Sequence, residues 1–211
     1  MKGIAASIAG RIRELLVPDR DPEPIWALAG RAVLLAAIAG YGWWFHVATM
    51  QELGETHKFI HGINLLFHEA GHMIFGFVGG QFLTVAGGTL GQLLMPLVLL
   101  VAFRWKNGDA FAAALALWWL GQNLVDCAPY INDARMLQLT LIGGGTGQEV
   151  EGHDWEYLLT ELGWLRKDVY LARWVLRGGR WMMALALIWA AVVLVAQLRA
   201  RWAANGLDAE G

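Results

Sequence analysis

The sequence has little cysteine and little charge, and both shortages narrow the kind of protein it can be. Cys127 is the only cysteine in 211 residues, so no disulfide can form within the chain. Charged residues make up 16% of the chain and hydrophobic residues 57%, with a mean hydropathy of +0.44. This composition excludes an ordinary soluble globular domain. The expected surrounding is therefore the lipid bilayer. The net charge is −2, and no nucleic-acid partner is expected.

Long apolar stretches are abundant instead. Several come close to the roughly 20 residues that a helix needs to cross a hydrocarbon core. They cover residues 32–49, 59–80, 84–103, 110–131 and 180–198. We therefore expect an all-α polytopic membrane protein with about five transmembrane helices.

The chain divides into four parts around these stretches. Residues 1–24 have apolar side chains at helical spacing beside arginines, which favours an amphipathic helix on the membrane surface. Residues 25–135 form the membrane core and contain a candidate metal site. Residues 136–178 form a loop with a second amphipathic helix, and 179–211 hold the last transmembrane helix and a tail.

The distribution of basic residues predicts the orientation. If the N-terminus is cytoplasmic, 11 of the 16 Lys and Arg residues lie on the cytoplasmic side or at its boundary. Cytoplasmic loops are enriched in these residues, so we expect a cytoplasmic N-terminus and a cytoplasmic 136–178 loop. The expected location is a bacterial inner membrane, as an integral protein.

The second apolar stretch contains the motif His68-Glu69-Ala70-Gly71-His72. Residues four apart on a helix share a face, so both imidazoles can bind one metal ion. Glu69 can then act as the general base toward the attacking water in an amide hydrolysis. Ionisable side chains are costly inside a membrane and usually functional there, which favours one Zn²⁺ per chain at this motif.

Two further histidines, His57 and His61, fall within roughly 60° of His68 and His72 around the same helix. His61 lies roughly 10 Å along the axis from His68, too far to bind the same ion. We interpret both as interfacial residues near the start of this helix. A second metal site and a proton path are the alternatives.

Three protein ligands are usual for a catalytic zinc ion, so a third group must come from another segment. The fourth stretch offers Asp126 and Asp133 on either side of Pro129, and the loop offers His153. Depth in the membrane favours Asp126. Measured from the same membrane face, Asp126 lies about 26 Å along its helix from Asp109, and His72 lies about 21 Å along its helix from Lys58. At roughly 36 Å, Asp133 reaches the metal only if Pro129 folds the segment back.

Residues 59–135 resemble the site-2 protease family of intramembrane zinc metallopeptidases. His68, Glu69 and His72 match its first motif, and the segment from Gly87 to Gln92 is similar to its middle element, with Gln92 in the place of an asparagine. Asn123, Pro129 and Asp133 are similar to its last motif, although its L-D-G sequence is missing.

The resemblance implies the roles of these residues. It implies His68, His72 and Asp133 as zinc ligands, with Asp126 and His153 as the alternatives for the third position. It further implies Glu69 as the catalytic base and Gln92 and Asn123 as residues that hold an unwound substrate strand. Gln92 and Asn123 could equally be hydrogen-bonding groups between helices.

The predicted function is therefore hydrolysis of a peptide bond in or near a transmembrane segment of a membrane-protein substrate. Two alternatives remain open: a non-proteolytic metal-binding or transport protein that uses the histidine face, and a catalytically silent membrane adaptor. The transport alternative predicts that Glu69 is dispensable and His61 is required. The oligomeric state and the substrate are not predicted.

Overall fold

The computed structural model describes Gly10 and residues 23–56, 58–142 and 144–208. Most of the segment expected at 1–24, and also His57, lie outside the described residues. The structure consists of seven α-helices in the described ranges: α1 (Ile25–Val47), α2 (Met50–Glu55), α3 (Phe59–Gly76), α4 (Gln81–Val101), α5 (Ala110–Asn132), α6 (Asp154–Glu161) and α7 (Asp168–Asp208). A π-helical turn, Ala102–Lys106, extends α4, and a 3-10 turn, Leu165–Lys167, precedes α7.

No β-strand is present in these ranges; an isolated bridge pairs Thr140 with Thr146 in the loop between α5 and α6. The prediction of an all-α fold is thus confirmed for the described residues. Three helical segments are long and apolar enough to cross a membrane, namely Ile25–Val47, Gln81–Lys106 and Leu165–Asn205. The other two expected stretches form α3 and α5, whose polar side chains make them less apolar.

Helix boundaries differ from the expected ones where local interactions extend a helix. The last helix begins at Asp168 rather than near residue 180, so much of the expected loop is helical. In α5, the side chain of Asp109 accepts a hydrogen bond from the backbone N–H of Ala112 and fixes the first turn. Pro129 does not end α5, which continues to Asn132.

The most deeply buried helix is α5, with 14 buried residues. It crosses α7 at a pair of glycines: a Cβ on Gly179 would lie 2.6 Å from the carbonyl oxygen of Gly121. Small residues at such a crossing bring two backbones into contact, as is common between membrane helices. Around it, Trp118, Val125 and Met183 pack together in the largest hydrophobic cluster.

Helices α3 and α4 also approach each other through glycines. A Cβ on Gly71 would lie 2.0 Å from the carbonyl oxygen of Gly87, and one on Gly91 would lie 2.4 Å from that of Phe67. No side chain fits at either position, so the glycines of both helices are required for this packing. The result is that the face of α3 with the two motif histidines lies directly against α4.

A charged cluster ties the helices together at the N-terminal end of α5. Arg31 of α1 contacts Glu23 at 2.7 Å and Asp109 at 3.0 Å, and it also donates to Gln197 of α7. From Asp109 to Asp126 is about 25 Å along α5, so this cluster and the polar residues near the end of α5 lie at opposite ends of the bundle.

The adjacent glycines of α7 provide a matched test of this packing. We expect Gly179→Ala to lower the free energy of unfolding by about 1–3 kcal/mol, because its Cβ would clash with the backbone of α5. A Cβ on Gly178 has no neighbour within 4 Å. Gly178→Ala should therefore leave the stability unchanged or raise it by up to about 1 kcal/mol. Thermal unfolding in detergent measures both, and equal effects of the two substitutions would contradict the close α5–α7 crossing.

Candidate metal centre

His68 and His72 lie one turn apart on α3, with their ring centroids 4.7 Å apart. Both Nε2 atoms face the same carboxylate oxygen: Asp154 Oδ2 lies 2.9 Å from His68 Nε2 and 3.2 Å from His72 Nε2. The three side chains offer one ligand atom each, all within 4.8 Å of one another. His68 and Asp154 are each only 8% exposed. The structure thus brings the two motif histidines together with a carboxylate that is 86 residues away in the sequence from His68.

Asp154 is the first residue of α6, and the end of α5 holds it in place. The Asp154 backbone N–H donates to the hydroxyl of Tyr130 at 3.0 Å. The Tyr130 ring packs against that of His153, with centroids 4.2 Å apart. The Nδ1 atom of His153 accepts the backbone N–H of Glu156 and caps the helix. These contacts anchor the N-terminus of α6 against α5.

Helix α4 orients the two imidazoles. His68 Nδ1 lies 2.9 Å from Gln92 Oε1, and His72 Nδ1 lies 2.9 Å from the backbone oxygen of Thr84. Because a carbonyl oxygen only accepts hydrogen bonds, both Nδ1 atoms are donors and carry the proton. The Gln92 amide nitrogen lies 2.7 Å from Cys127 Sγ, which is a weak acceptor for its N–H. In the neutral tautomer both Nε2 atoms therefore present a lone pair toward Asp154.

This donor set fits a divalent cation. Two Nε2 lone pairs and one carboxylate oxygen suit zinc, and the hydrogen bonds on the Nδ1 atoms are those that usually orient metal-binding histidines. Protons on both Nε2 atoms would instead place two positive imidazoles 4.7 Å apart. Burial raises the pKa of the Asp154 carboxyl, but where an imidazole carries a proton on Nε2, its hydrogen bond and positive charge outweigh burial and hold that pKa below its ordinary value. The carboxylate form needed for metal binding is thus favoured.

Gly88 of α4 lies directly beside the two ligand nitrogens. A Cβ at this position would be 2.5 Å from both His68 Nε2 and His72 Nε2. Any other residue would occupy the space that a cation on these nitrogens needs. Gly88 is thus the residue that leaves room for a metal ion.

Asp133, the favoured third ligand in the sequence analysis, is not part of the His68–His72–Asp154 group. Its two carboxylate oxygens accept the backbone N–H groups of Gln138 and Leu139, each at 2.9 Å. The physical reason is that α5 continues through Pro129 instead of folding back, so Asp133 caps its end.

The two alternative ligands are also engaged elsewhere. Asp126 contacts His61 Nδ1 at 3.1 Å and accepts a hydrogen bond from Asn64 at 3.0 Å. His153 uses Nδ1 for helix capping, and its Nε2 lies 3.6 Å from Asp133 Oδ2. Burial lowers the pKa of His153 more than the nearby carboxylates raise it, which favours the neutral form that caps α6.

Sequence analysis did not place Asp154 beside His68 and His72, because an acidic residue next to His153 is typical of an exposed helix start. The signal that could have found it is its apolar context: Trp155, Leu158 and Leu159 follow at a spacing that turns this helix start toward the protein.

The remaining predicted residues have different surroundings. Glu69 is exposed and lines the same cavity as His68 and His72. Gln92 also lines this cavity, but it is 5% exposed and its oxygen contacts His68. Asn123 is fully buried, donates to the backbone oxygen of Trp119, and is not among the residues that line the cavity.

The cavity has a volume of about 460 Å³, which is in the usual range for small-molecule and peptide side-chain sites. One wall is formed by the loop between α5 and α6, through Leu139, Thr140, Leu141 and Ile142. His68, His72 and Asp154 lie on another wall, so a molecule in the cavity would meet Glu69 and any cation held by these three side chains together. The chain matches no protein-family model, no curated protein and no solved structure.

The third ligand can be tested by metal content. We expect purified wild-type protein to hold one zinc ion per chain and Asp154→Asn to lose it at micromolar free zinc, because an amide is a poor replacement for the carboxylate. Asp126→Asn should retain the metal, since Asp126 contacts His61 and Asn64 instead. Elemental mass spectrometry measures both. Loss of zinc in Asp126→Asn with retention in Asp154→Asn would contradict the assignment.

A second test uses the space at Gly88. Gly88→Ala should weaken zinc binding by about 10–100-fold, because the added Cβ displaces both imidazoles. Gly62→Ala on α3 is the control, since a Cβ there has no neighbour within 4 Å. Zinc titration against a fluorescent chelator compares the two variants. Unchanged zinc affinity in Gly88→Ala would place the metal away from these nitrogens.

Proposed function

We propose that the protein is an intramembrane zinc metalloprotease that hydrolyses a peptide bond in or near a transmembrane segment of a membrane-protein substrate. The observation that carries this proposal is the convergence of His68, His72 and Asp154 beside Glu69 at the wall of one cavity. His68, His72 and Asp154 are the proposed zinc ligands, with Asp154 in the role that the sequence analysis assigned to Asp133.

Each residue near the cavity then has a defined role. Zinc in such a site lowers the pKa of water toward roughly 7 and polarises a carbonyl oxygen. Glu69 takes the proton of the attacking water at its carboxylate and passes it to the leaving amine nitrogen. Gln92 and the Thr84 carbonyl keep the imidazoles oriented, and Tyr130 holds the backbone of Asp154. In this scheme Gln92 acts on a ligand rather than on the substrate.

The membrane setting supports a membrane-embedded substrate. We propose that α5 crosses the bilayer together with the three more apolar segments, which makes four spans. Arg31 near the start of α1 contacts Asp109 at the start of α5, so both helices begin at the same end of the bundle and the chain crosses once between them, through α4. The expected fifth span, α3, then lies in the membrane region without crossing it. Large apolar side chains of α3, such as Leu66, Met73 and Ile74, are 61–68% exposed and suit contact with lipid. Its polar residues face the cavity and the neighbouring helices, where ionisable groups in membranes are usually found.

Because α1 and α5 begin at the same end, α6 and Asp154 lie at the end of the bundle opposite the start of α1. A cytoplasmic N-terminus in an inner membrane would therefore place them on the other side of that membrane, so the N-terminus and the 136–178 loop are not both cytoplasmic.

The similarity to site-2 proteases in this proposal rests on the first motif. His68, Glu69 and His72 keep their implied roles, whereas the third ligand comes from the loop after α5. The transport alternative requires a continuous histidine path along α3, but His61 contacts Asp126 rather than the cluster. The protease is therefore the function that the geometry favours.

The proposal is tested by replacing the general base. Single-span peptides with a fluorophore and a quencher on opposite sides of the apolar segment are incubated with zinc-loaded protein in detergent. We expect cleavage by the wild type and a loss of at least about 100-fold in rate for Glu69→Gln, because a general base contributes roughly 10²–10⁴-fold. Glu69→Gln should still hold one zinc ion, since Glu69 is not a proposed ligand.

Glu151→Gln is the matched control, because Glu151 is another carboxylate that lines the cavity. It should cleave at a rate close to that of the wild type. Full activity of Glu69→Gln, or zinc-loaded wild type that cleaves no peptide of a broad series, would contradict the protease and favour a non-proteolytic metal protein.

A further inference from the structure

A second polar group lines the cavity away from the metal centre. His61 Nδ1 lies 3.1 Å from both carboxylate oxygens of Asp126, and the side-chain nitrogen of Asn64 lies 3.0 Å from Asp126 Oδ2. His61 and Asp126 both line the cavity that also contains His68, Glu69 and His72. The proposed hydrolysis does not use this pair.

The pair is more than a hydrogen-bonded link between helices. Asn64 already provides such a link, because it is 1% exposed, donates to Gln122 of α5 and accepts from the indole N–H of Trp119. The side chains of His61 and Asp126, by contrast, remain 30% and 14% exposed. Their polar atoms can therefore meet a molecule in the cavity.

The charges of the residues that line the cavity indicate which kind of molecule would bind beside Asp126. Among the residues that the structure describes, the cavity is lined by the carboxylates of Glu69, Asp126, Glu151 and Asp154 and by no lysine or arginine. Asp154 faces the metal centre, whereas the charge of Asp126 has no permanent cation among the lining residues. In a mostly apolar cavity such a charge attracts a positive group more strongly than it would in water.

The distance of the His61–Asp126 pair from the metal centre and the apolar residues around the pair limit the shape of the positive group. His61 and His68 are seven residues apart on α3, which places the pair roughly 10 Å along the axis from the metal centre. An extended peptide covers this distance in about three residues. Leu53 and Leu65 line the cavity as well and suit the methylene stem of a basic side chain whose charged end lies in a polar spot.

We propose that His61 and Asp126 form a subsite for a basic side chain, lysine or arginine, of the substrate, about three residues from the peptide bond that is cut. Asp126 accepts the hydrogen bond of the positive group, while His61 and Asn64 hold the carboxylate in position. This inference rests on the proposed function, since it takes the metal centre as the site of cleavage.

The test uses small zinc-binding probes and needs no substrate. A series of hydroxamic acids carries linear tails of increasing length that end in an ammonium, a methyl or a carboxylate group. Affinity for the zinc-loaded protein in detergent is measured by isothermal titration calorimetry. We expect the best ammonium tail to bind at least 10-fold more tightly than the methyl tail of equal length, and the carboxylate tail to bind more weakly than both.

Variants assign the preference to a residue. Asp126→Asn, which can still accept the His61 hydrogen bond, should lose the ammonium preference while it keeps one zinc ion. Glu151→Gln should retain the preference. Asp126→Glu keeps the charge on a longer side chain, so it should retain the preference and shift the best tail to one methylene shorter; this variant keeps the test decisive if Asp126→Asn folds poorly.

The outcomes separate this inference from the proposed function. If hydroxamates bind equally well whatever the tail, or if the ammonium preference survives Asp126→Asn, the subsite is wrong and the metal centre stands. If the protein binds neither zinc nor any hydroxamate, the proposed function fails and the subsite with it. Loss of the preference in Asp126→Asn alone, with zinc retained, supports the subsite.

Discussion

The close approach of α3 and α4 is the constraint on which the candidate site depends. Gly71 and Gly87 let the two backbones touch, and only at this distance can α4 offer its acceptors to the histidines of α3. The Thr84 carbonyl and the Gln92 side chain then fix which nitrogen of each imidazole faces Asp154. Helix packing and ligand orientation are thus consequences of the same glycines.

The polar residues of α3 and α5 divide between binding and packing. Those that are fully buried, such as Asn64, Gln122 and Asn123, make hydrogen bonds within or between helices, although Gln122 Nε2 and Asn123 Oδ1 have no partner among the described residues. Those that remain partly open, such as His61 and Asp126, face the cavity. In a membrane protein this separation matters, because an unsatisfied polar group in an apolar surrounding costs several kcal/mol, on the order of 2–7.

Three separate segments build the candidate metal centre: α3 supplies two imidazoles, α4 supplies their acceptors and the space at Gly88, and α6 supplies the carboxylate. Tyr130 at the end of α5 connects α6 to this assembly through the backbone of Asp154. A metal ion at this centre would therefore stabilise the docking of α6, since a ligand of the folded arrangement favours that arrangement.

The sequence by itself determined the features that depend on local spacing and composition. Apolar stretches of sufficient length indicated membrane helices, and the four-residue spacing of His68 and His72 placed both on one helical face. It could not determine which acidic side chain lies beside the two histidines. The choice of Asp133 depended on Pro129 folding the chain back, whereas the helix continues past the proline. Asp154 follows a loop that no helical periodicity describes, so its contact with His68 across 86 residues is decided only by how α6 packs against α4 and α5.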